Sequence, residues 1–346
     1  MTAMSSGAGA ASSGAMPKAR IATVGAGRMG QGIALAFAYS GHSVALIDLK
    51  PRPLAAFSEL EAAARRLLRQ DLEFLKSVGA LADDGVERVT NRIRFVAAAD
   101  APEAISQASI VFEAVPETLE AKREALGAIG ELARADALIA STSSTFDSNL
   151  LSALLSGPER FANAHWLNPA HLMPLVEVST CDATTPATVE GLLRVLKSVG
   201  KVPVVCKSSP GYIVPRIQAL AMNEAARMVE EGVASAADID TAVRVGFGLR
   251  FAVLGLLEFI DWGGGDILYY ASRNLAENLD PTRFAVPGIV ARHMHEQRRG
   301  LRDGEGFFDY RGRDVDRYRN ERLAAFVALL RHRNLMPVAA DSAPSA

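Results

Sequence analysis

The residues best suited to acid–base chemistry lie in one segment. His165-Trp166-Leu167-Asn168-Pro169 is followed by Met173-Pro174-Leu175-Val176-Glu177, which sets a histidine and a glutamate twelve residues apart. Histidine trades a proton near neutral pH, which suits it to taking the proton of an alcohol as hydride leaves the same carbon. A carboxylate bonded to its other ring nitrogen would orient the imidazole and stabilise its cation. Asn168-Pro169 reads as a tight reversal that brings Glu177, on the next strand, back beside His165. Taken alone, any of the six histidines is more readily a packing or surface residue than a catalytic one.

A second constellation concerns phosphate. Gly25-Ala26-Gly27-Arg28-Met29-Gly30 follows the apolar run Ile21-Ala22-Thr23-Val24 and opens a helical stretch. In this arrangement Gly25 allows the tight turn, Gly27 lets the backbone approach a pyrophosphate, and Gly30 lets the helix pack closely. The helix N-terminus, with Arg28 and Met29 in its first turn, offers free N–H groups to the phosphates. Asp48 ends the next apolar run, eighteen residues beyond Gly30. The expected offset is about 20 for an acid that binds the adenosine ribose hydroxyls. Its charge repels a 2′-phosphate, which favours NAD over NADP, while Lys50 and Arg52 lie close enough to soften that preference.

These residues need a scaffold, and from Ala19 to about Lys207 the chain alternates β-branched runs with helical stretches, the pattern of a mostly parallel α/β sheet. Strands are expected at 21–24, 44–47, 93–96, 110–115, 138–141, 161–167, 175–178 and 202–206. Helices are expected at 29–38 and 119–133, and the basic region 53–81 reads as a helical pair projecting from the sheet. Ser208-Ser209-Pro210-Gly211 reads as a hinge. Beyond it strand signals vanish, and 213–231, stopped by Gly232, is apolar at helical spacing, as are 236–245, 254–260 and 321–333. The expected order is a loose tail (1–18), an N-terminal Rossmann-type doubly wound α/β domain (19–207), an all-helical C-terminal domain (208–335) and a second loose tail (336–346).

Bulk properties agree with two domains, because 346 residues exceed the roughly 250–300 at which single cores stop growing. A net charge of −2 gives no electrostatic reason to expect nucleic acid or an anionic membrane as partner. No run of about 18 apolar residues occurs, and the Ala-, Gly- and Ser-rich N-terminus lacks the apolar core of a signal peptide. A cytoplasmic location is therefore expected. Cys181 and Cys206 are too few for a disulfide framework and lack metal-ligand spacing, so no metal is expected.

From about residue 20 to 310 the sequence resembles the 3-hydroxyacyl-CoA dehydrogenase family, with matching motifs in both domains. The family's H-F-F-N-P…V-E segment, which carries a His–Glu catalytic pair, is matched by His165 through Glu177 at the same separation. Its E-x-x-x-x-K cofactor contact matches Glu117 and Lys122, in a stretch that opens Glu113-Ala114-Val115-Pro116. Its N-T-S-S segment, whose first serine touches substrate hydroxyl and cofactor, aligns with Thr142-Ser143-Ser144-Thr145 and gives Ser144 that role. Asn168 matches the asparagine lining the nicotinamide pocket, and Arg302 stands where the family has a cofactor-contacting lysine. Pro210-Gly211-Tyr212-Ile213-Val214, Asp238-Ile239-Asp240 and Gly304-Glu305-Gly306-Phe307-Phe308 match C-terminal landmarks. The resemblance implies an NAD-dependent oxidoreductase of fatty acid metabolism that acts on a short-chain L-3-hydroxyacyl-CoA of the 3-hydroxybutyryl type. It implies roles for His165, Glu177, Ser144 and Asn168 at the reaction, and a homodimer formed through the helical domain.

Three departures bear on the substrate. Pro215 replaces an asparagine that helps polarise substrate; proline offers no side-chain hydrogen bond, so Ser144, Asn168 or a residue such as Asn223 must do that work. The family's CoA-contacting serine and lysine align with Ala64 and Asp71. Arg65, Arg66 and Arg69 on the same helix either compensate or form a solvated face. Finally, Gly248-Leu249-Arg250-Phe251-Ala252-Val253-Leu254-Gly255 is more similar to the branch that includes lambda-crystallin (gulonate 3-dehydrogenase) and carnitine dehydrogenase, which act on free hydroxy acids. Arg250 either grips a substrate carboxylate through two parallel hydrogen bonds or caps a helix or salt-bridges Glu258. A free 3-hydroxycarboxylate is thus the alternative substrate. A non-catalytic NAD-binding structural protein is a third reading, which the retention of both His165 and Glu177 disfavours.

Overall fold

The computed structural model describes residues 19–337. Its strands are β1 (Arg20–Val24), β2 (Ser43–Ile47), β3 (Ile93–Val96), β4 (Ile110–Glu113), β5 (Leu138–Ser141), β6 (Phe161–Trp166), β7 (Leu175–Thr180) and β8 (Val202–Lys207). They form one sheet in the order β3-β2-β1-β4-β5-β6-β7-β8. Every pairing is parallel except β6 with β7. Strands this rich in Ile, Val and Ala suit a sheet covered on both faces. On one face Val44, Leu46, Phe112 and Trp166 pack under the helices Arg28–Tyr39 and Pro186–Ser198. On the other, Ala22, Val24, Val111 and Ile139 pack under Leu119–Leu132. Each fully buried Leu, Ile or Phe stabilises such a layer by roughly 1.5–3 kcal/mol. The strand order reverses at β1, with β2 on one side and β4 on the other, and sheets of this kind bind ligands outside the carboxyl ends of the strands at that point.

Region 53–81 differs from the projecting pair expected of it. It is one helix, Leu54–Ser77, in which Ala64, Leu68, Leu72 and Leu75 are buried, and the three leucines join the core. That apolar stripe gains more by docking on the sheet layer than by standing free. Between β6 and β7 the expected reversal is present, with a cis Asn168–Pro169 peptide, and the antiparallel register sets His165 opposite Glu177.

The chain divides into two compact units between Ala221 and Met222, inside the helix Val214–Glu230. The expected boundary at 207/208 lies upstream, because the first turn of that helix is hydrogen-bonded to Glu177 of β7. In the second unit the helix Ala236–Ala242 continues through a π-helical turn, Val243–Phe247, into Gly248–Val253. Leu256–Gly263, Gly265–Asn278, Gly288–His295 and Val315–His332 follow. Asp261 is buried there and accepts the backbone N–H groups of Phe307 and Phe308, at 3.0 and 2.9 Å, which accounts for the Gly304–Phe308 motif as a structural clasp. Among the described residues no helix is long and apolar enough to cross a membrane. The expected tail 1–18, and all but the first two residues of the expected tail 336–346, lie outside the described residues.

Candidate active site

A cleft of about 750 Å³ opens at the carboxyl ends of β1, β2 and β4, walled by Gly25–Met29, Asp48 and Glu117, and reaching Thr142 and Ser144. The glycines explain its floor. Gly25 turns at φ 111°, and a Cβ on Gly30 would lie 1.9 Å from the Gly25 carbonyl oxygen, so the helix can start this close to β1 only with hydrogen there. A Cβ on Gly27 would meet nothing within 4 Å, because that position faces open space in the cleft. The helix Arg28–Tyr39 begins with no side-chain cap and no acid in its first turn, leaving its N–H groups and positive dipole end to a ligand. An open backbone cradle, an uncapped helix end and a carboxylate at the tip of β2 fit the pyrophosphate and ribose of a dinucleotide. Asp48, nearly buried, pairs there with the Arg52 guanidinium.

At the same edge of the sheet, near the end of β6, His165 Nδ1 lies 2.8 Å from Glu177 Oε2. The other carboxylate oxygen, Oε1, accepts the backbone N–H groups of Ile213 and Val214 at 2.9 and 2.8 Å. Both oxygens of a carboxylate that is 1% exposed are therefore satisfied, which a buried charge requires. The turn at Gly211 and Tyr212 (φ 75° and 45°) aims those N–H groups. Tyr212 also lies against the imidazole, with ring centroids 5.9 Å apart. Burial keeps its phenol above its usual pKa, and it donates to the Phe146 carbonyl at 2.5 Å. Nε2 of His165 has no hydrogen-bond partner among the described residues, so the ring presents one bonded and one available nitrogen.

Between cleft and histidine runs a polar network. Lys122, fully buried, sits 3.2 Å from Glu113 and 3.1 Å from Glu117. Glu113 also accepts Ser141 Oγ and the Val115 N–H. Glu117 Oε1 gathers the loop after β5, accepting Ser143 Oγ at 2.6 Å, Ser144 N–H at 3.0 Å and Thr145 N–H at 3.1 Å. Burial pushes the Glu117 carboxyl up, but the Ser143 hydrogen bond and the Lys122 charge outweigh it and hold it below the usual carboxylate value. Asn163, two residues before His165 on the same face of β6, bonds both backbone groups of Ser143 at 3.0 Å. One network thus fixes the Ser144 backbone while leaving its hydroxyl without a protein partner among the described residues.

Of the residues singled out in the sequence, Gly25, Gly27, Arg28, Met29, Asp48, Glu117 and Ser144 wall the cleft, and Gly30 packs beneath it. Lys122 does not line it: its ammonium is enclosed by carboxylates, so it acts on the cleft through Glu117. Asn168 is exposed on the turn after β6. Arg65 pairs with Glu61 and stacks on Phe95, and Arg69 pairs with Glu87. Asp71 faces His171 at 3.9 Å. In the second unit Arg302 pairs with Asp266 at 2.6 Å. Among the described residues Arg250 reaches only the Gly246 carbonyl and the Phe259 ring; Glu258 is instead taken by Tyr318 and Arg322. Sequence reasoning missed the contacts of Glu113, Asn163, Tyr212 and Lys201. Lys201 is buried and donates to the carbonyls of Ala170 and Met173 at 2.7 and 2.8 Å, steadying the loop behind Asn168. Glu113 and Asn163 carried a visible signal, being polar residues in otherwise apolar strands, and Tyr212 stands in the Pro210–Val214 landmark; Lys201 carried none.

A dehydrogenase that uses a nicotinamide dinucleotide needs a cleft for the cofactor and a proton acceptor on the same sheet edge, and this fold supplies both. Comparison with known proteins narrows that class. Residues 20–209 match the 3-hydroxyacyl-CoA dehydrogenase NAD binding domain and residues 211–310 the C-terminal domain of the same family. The chain belongs to the 3-hydroxyacyl-CoA dehydrogenase family and is an NAD-dependent oxidoreductase. It is 33% identical over 312 residues to the 5-formyl-3-hydroxy-2-methylpyridine 4-carboxylate 5-dehydrogenase of Mesorhizobium japonicum, covering 90% of this chain and 97% of that one. To the human mitochondrial hydroxyacyl-coenzyme A dehydrogenase it is 31% identical over 307 residues, covering 84% and 91%. The crystal structure of an Archaeoglobus fulgidus 3-hydroxyacyl-CoA dehydrogenase superposes with a TM-score of 0.71 at 30% identity, covering 92% of this chain and all of that one.

Proposed function

We propose that the protein reversibly oxidises a short-chain L-3-hydroxyacyl-CoA, of the 3-hydroxybutyryl type, to the 3-ketoacyl-CoA. The observation that carries this reading is the buried His165–Glu177 pair, 2.8 Å apart, with one ring nitrogen left to the substrate. In this reading Nε2 takes the hydroxyl proton while Glu177, held by two backbone N–H groups, fixes the ring and balances the charge it gains. General-base action of this kind contributes typically about 10²–10⁴-fold. The Ser144 hydroxyl, on a loop pinned by Glu117 and Asn163, positions the reacting oxygen, and Asn168 positions the cofactor amide. NAD supplies the hydride acceptor.

A second reading, oxidation of a free 3-hydroxycarboxylate, draws on specific observations. Arg250 pairs with no carboxylate among the described residues, and Asp71, where the family has a CoA-contacting lysine, turns toward His171. The Mesorhizobium japonicum relative is named for a pyridine carboxylate rather than a thioester. An NADH-linked assay of 3-hydroxybutyryl-CoA beside free 3-hydroxybutyrate, gulonate and carnitine separates the two. The thioester reading expects kcat/KM at least about 100-fold higher for the CoA ester, a difference of roughly 2.7 kcal/mol. Equal or reversed preference replaces it with the second.

A further inference from the structure

We propose that the adenosine end of the cleft also accepts the 2′-phosphate of NADP, with Arg52 as the residue that sets the ratio between the two dinucleotides. This rests on the cleft at the glycine turn being where the dinucleotide binds. An acid at the tip of β2 ordinarily excludes that phosphate by charge repulsion. Here the acid is not left bare. Asp48 Oδ2 is paired with the Arg52 guanidinium, and Asp48 Oδ1 lies 3.4 Å from the Lys50 backbone nitrogen. Both cations line the cleft, and the Lys50 ammonium pairs with no carboxylate among the described residues. On this side of the cleft two positive side chains therefore stand around one carboxylate. The other acids lining it, Glu117 and Glu124, follow β4 on the far side of β1.

Arg52 borders the cleft. Its side chain is 34% exposed and lies on the short connection between β2 and the helix Leu54–Ser77, and in this proposal its fork exchanges the Asp48 carboxylate for the phosphate by side-chain rotation. A guanidinium matches phosphate with two parallel hydrogen bonds, and a lysine adds a point charge. With NAD, Asp48 takes the ribose hydroxyls. With NADP, Arg52 and Lys50 meet the phosphate that Asp48 would otherwise repel.

The test is direct binding, by quenching of protein fluorescence or by calorimetry, of NADH and NADPH to the full chain. Wild type is expected to bind NADPH no more than about tenfold more weakly than NADH at low salt. Raising the salt should weaken NADPH more than NADH, because the added contact is ionic. Arg52→Ala should widen the NADPH-to-NADH ratio of Kd values by at least about tenfold, as loss of a charge-assisted pair does, and Lys50→Ala by about threefold. NADPH binding more than about 100-fold weaker than NADH in wild type, or an Arg52→Ala ratio equal to wild type, overturns the proposal while leaving NAD binding intact. Failure of NADH itself to bind would overturn the cleft assignment with it.

Discussion

Ile33, Leu35 and Phe37 in the helix Arg28–Tyr39 are wholly withdrawn from solvent, whereas Met222, Ile267 and Tyr270 in the helical unit remain 67%, 63% and 59% exposed. The first unit holds two extensive apolar layers on either side of its sheet. Among the described residues the second holds one small cluster around Leu301, Tyr310 and Tyr318. Apolar helix faces left to water can mark interaction surfaces. We propose a homodimer through the helical unit on this ground. The chemistry-bearing residues divide in the same way: His165, Glu177, Ser144 and the cleft all belong to the well-packed unit.

The sharpest break of that contrast is a charge left alone inside the first unit. Lys122→Met strips Glu113 and Glu117 of their cation, and urea denaturation should report a loss of roughly 3–5 kcal/mol. A loss below about 1 kcal/mol would mean that the network is not buried as described. Leu72→Ala, which hollows the core under the helix Leu54–Ser77, should cost about 2–5 kcal/mol. By comparison Ile267→Asp should leave the first unit's stability within about 0.5 kcal/mol of wild type while shifting light scattering from dimer to monomer. Acid gives a gentler probe. Glu117 is held below its ordinary value in the folded state, so its contribution is present above the unfolded carboxylate range and fades as pH falls through the folded value. Its side chain is 37% exposed, and solvent screening keeps the effect small. Glu117→Gln should flatten the acid limb of the stability curve, and an unchanged limb would remove Glu117 from the account.

Much of the first unit is legible in the sequence because its strands are short β-branched runs between turn residues, and each such run pairs into the sheet. The meeting of His165 with Glu177 is legible too, since a reversal at Asn168-Pro169 between two strands fixes which residues face each other. Interactions that depend on side chains from separate elements are not. Nothing local announces that Lys122 buries its charge against Glu113 nine residues away, or that Lys201 reaches the carbonyls of Ala170 and Met173. The basic region 53–81 reads as a projecting helical pair because nothing local names the core that Leu68, Leu72 and Leu75 dock against. In the second unit helices are evident while their limits are blurred, because the chain stays helical through Gly246 and Gly248 around the π-helical turn at Val243–Phe247, where glycine would ordinarily mark a stop.

A buried imidazole whose orientation is set by Glu177 is the part on which the enzymatic account turns. Single-turnover hydride transfer in His165→Gln, with the NADH dissociation constant measured on the same preparation, tests it most directly. The account predicts a rate at least about 100-fold below wild type with NADH still bound at near wild-type affinity. A rate within about threefold of wild type under those conditions would show that another group takes the proton, and would contradict it.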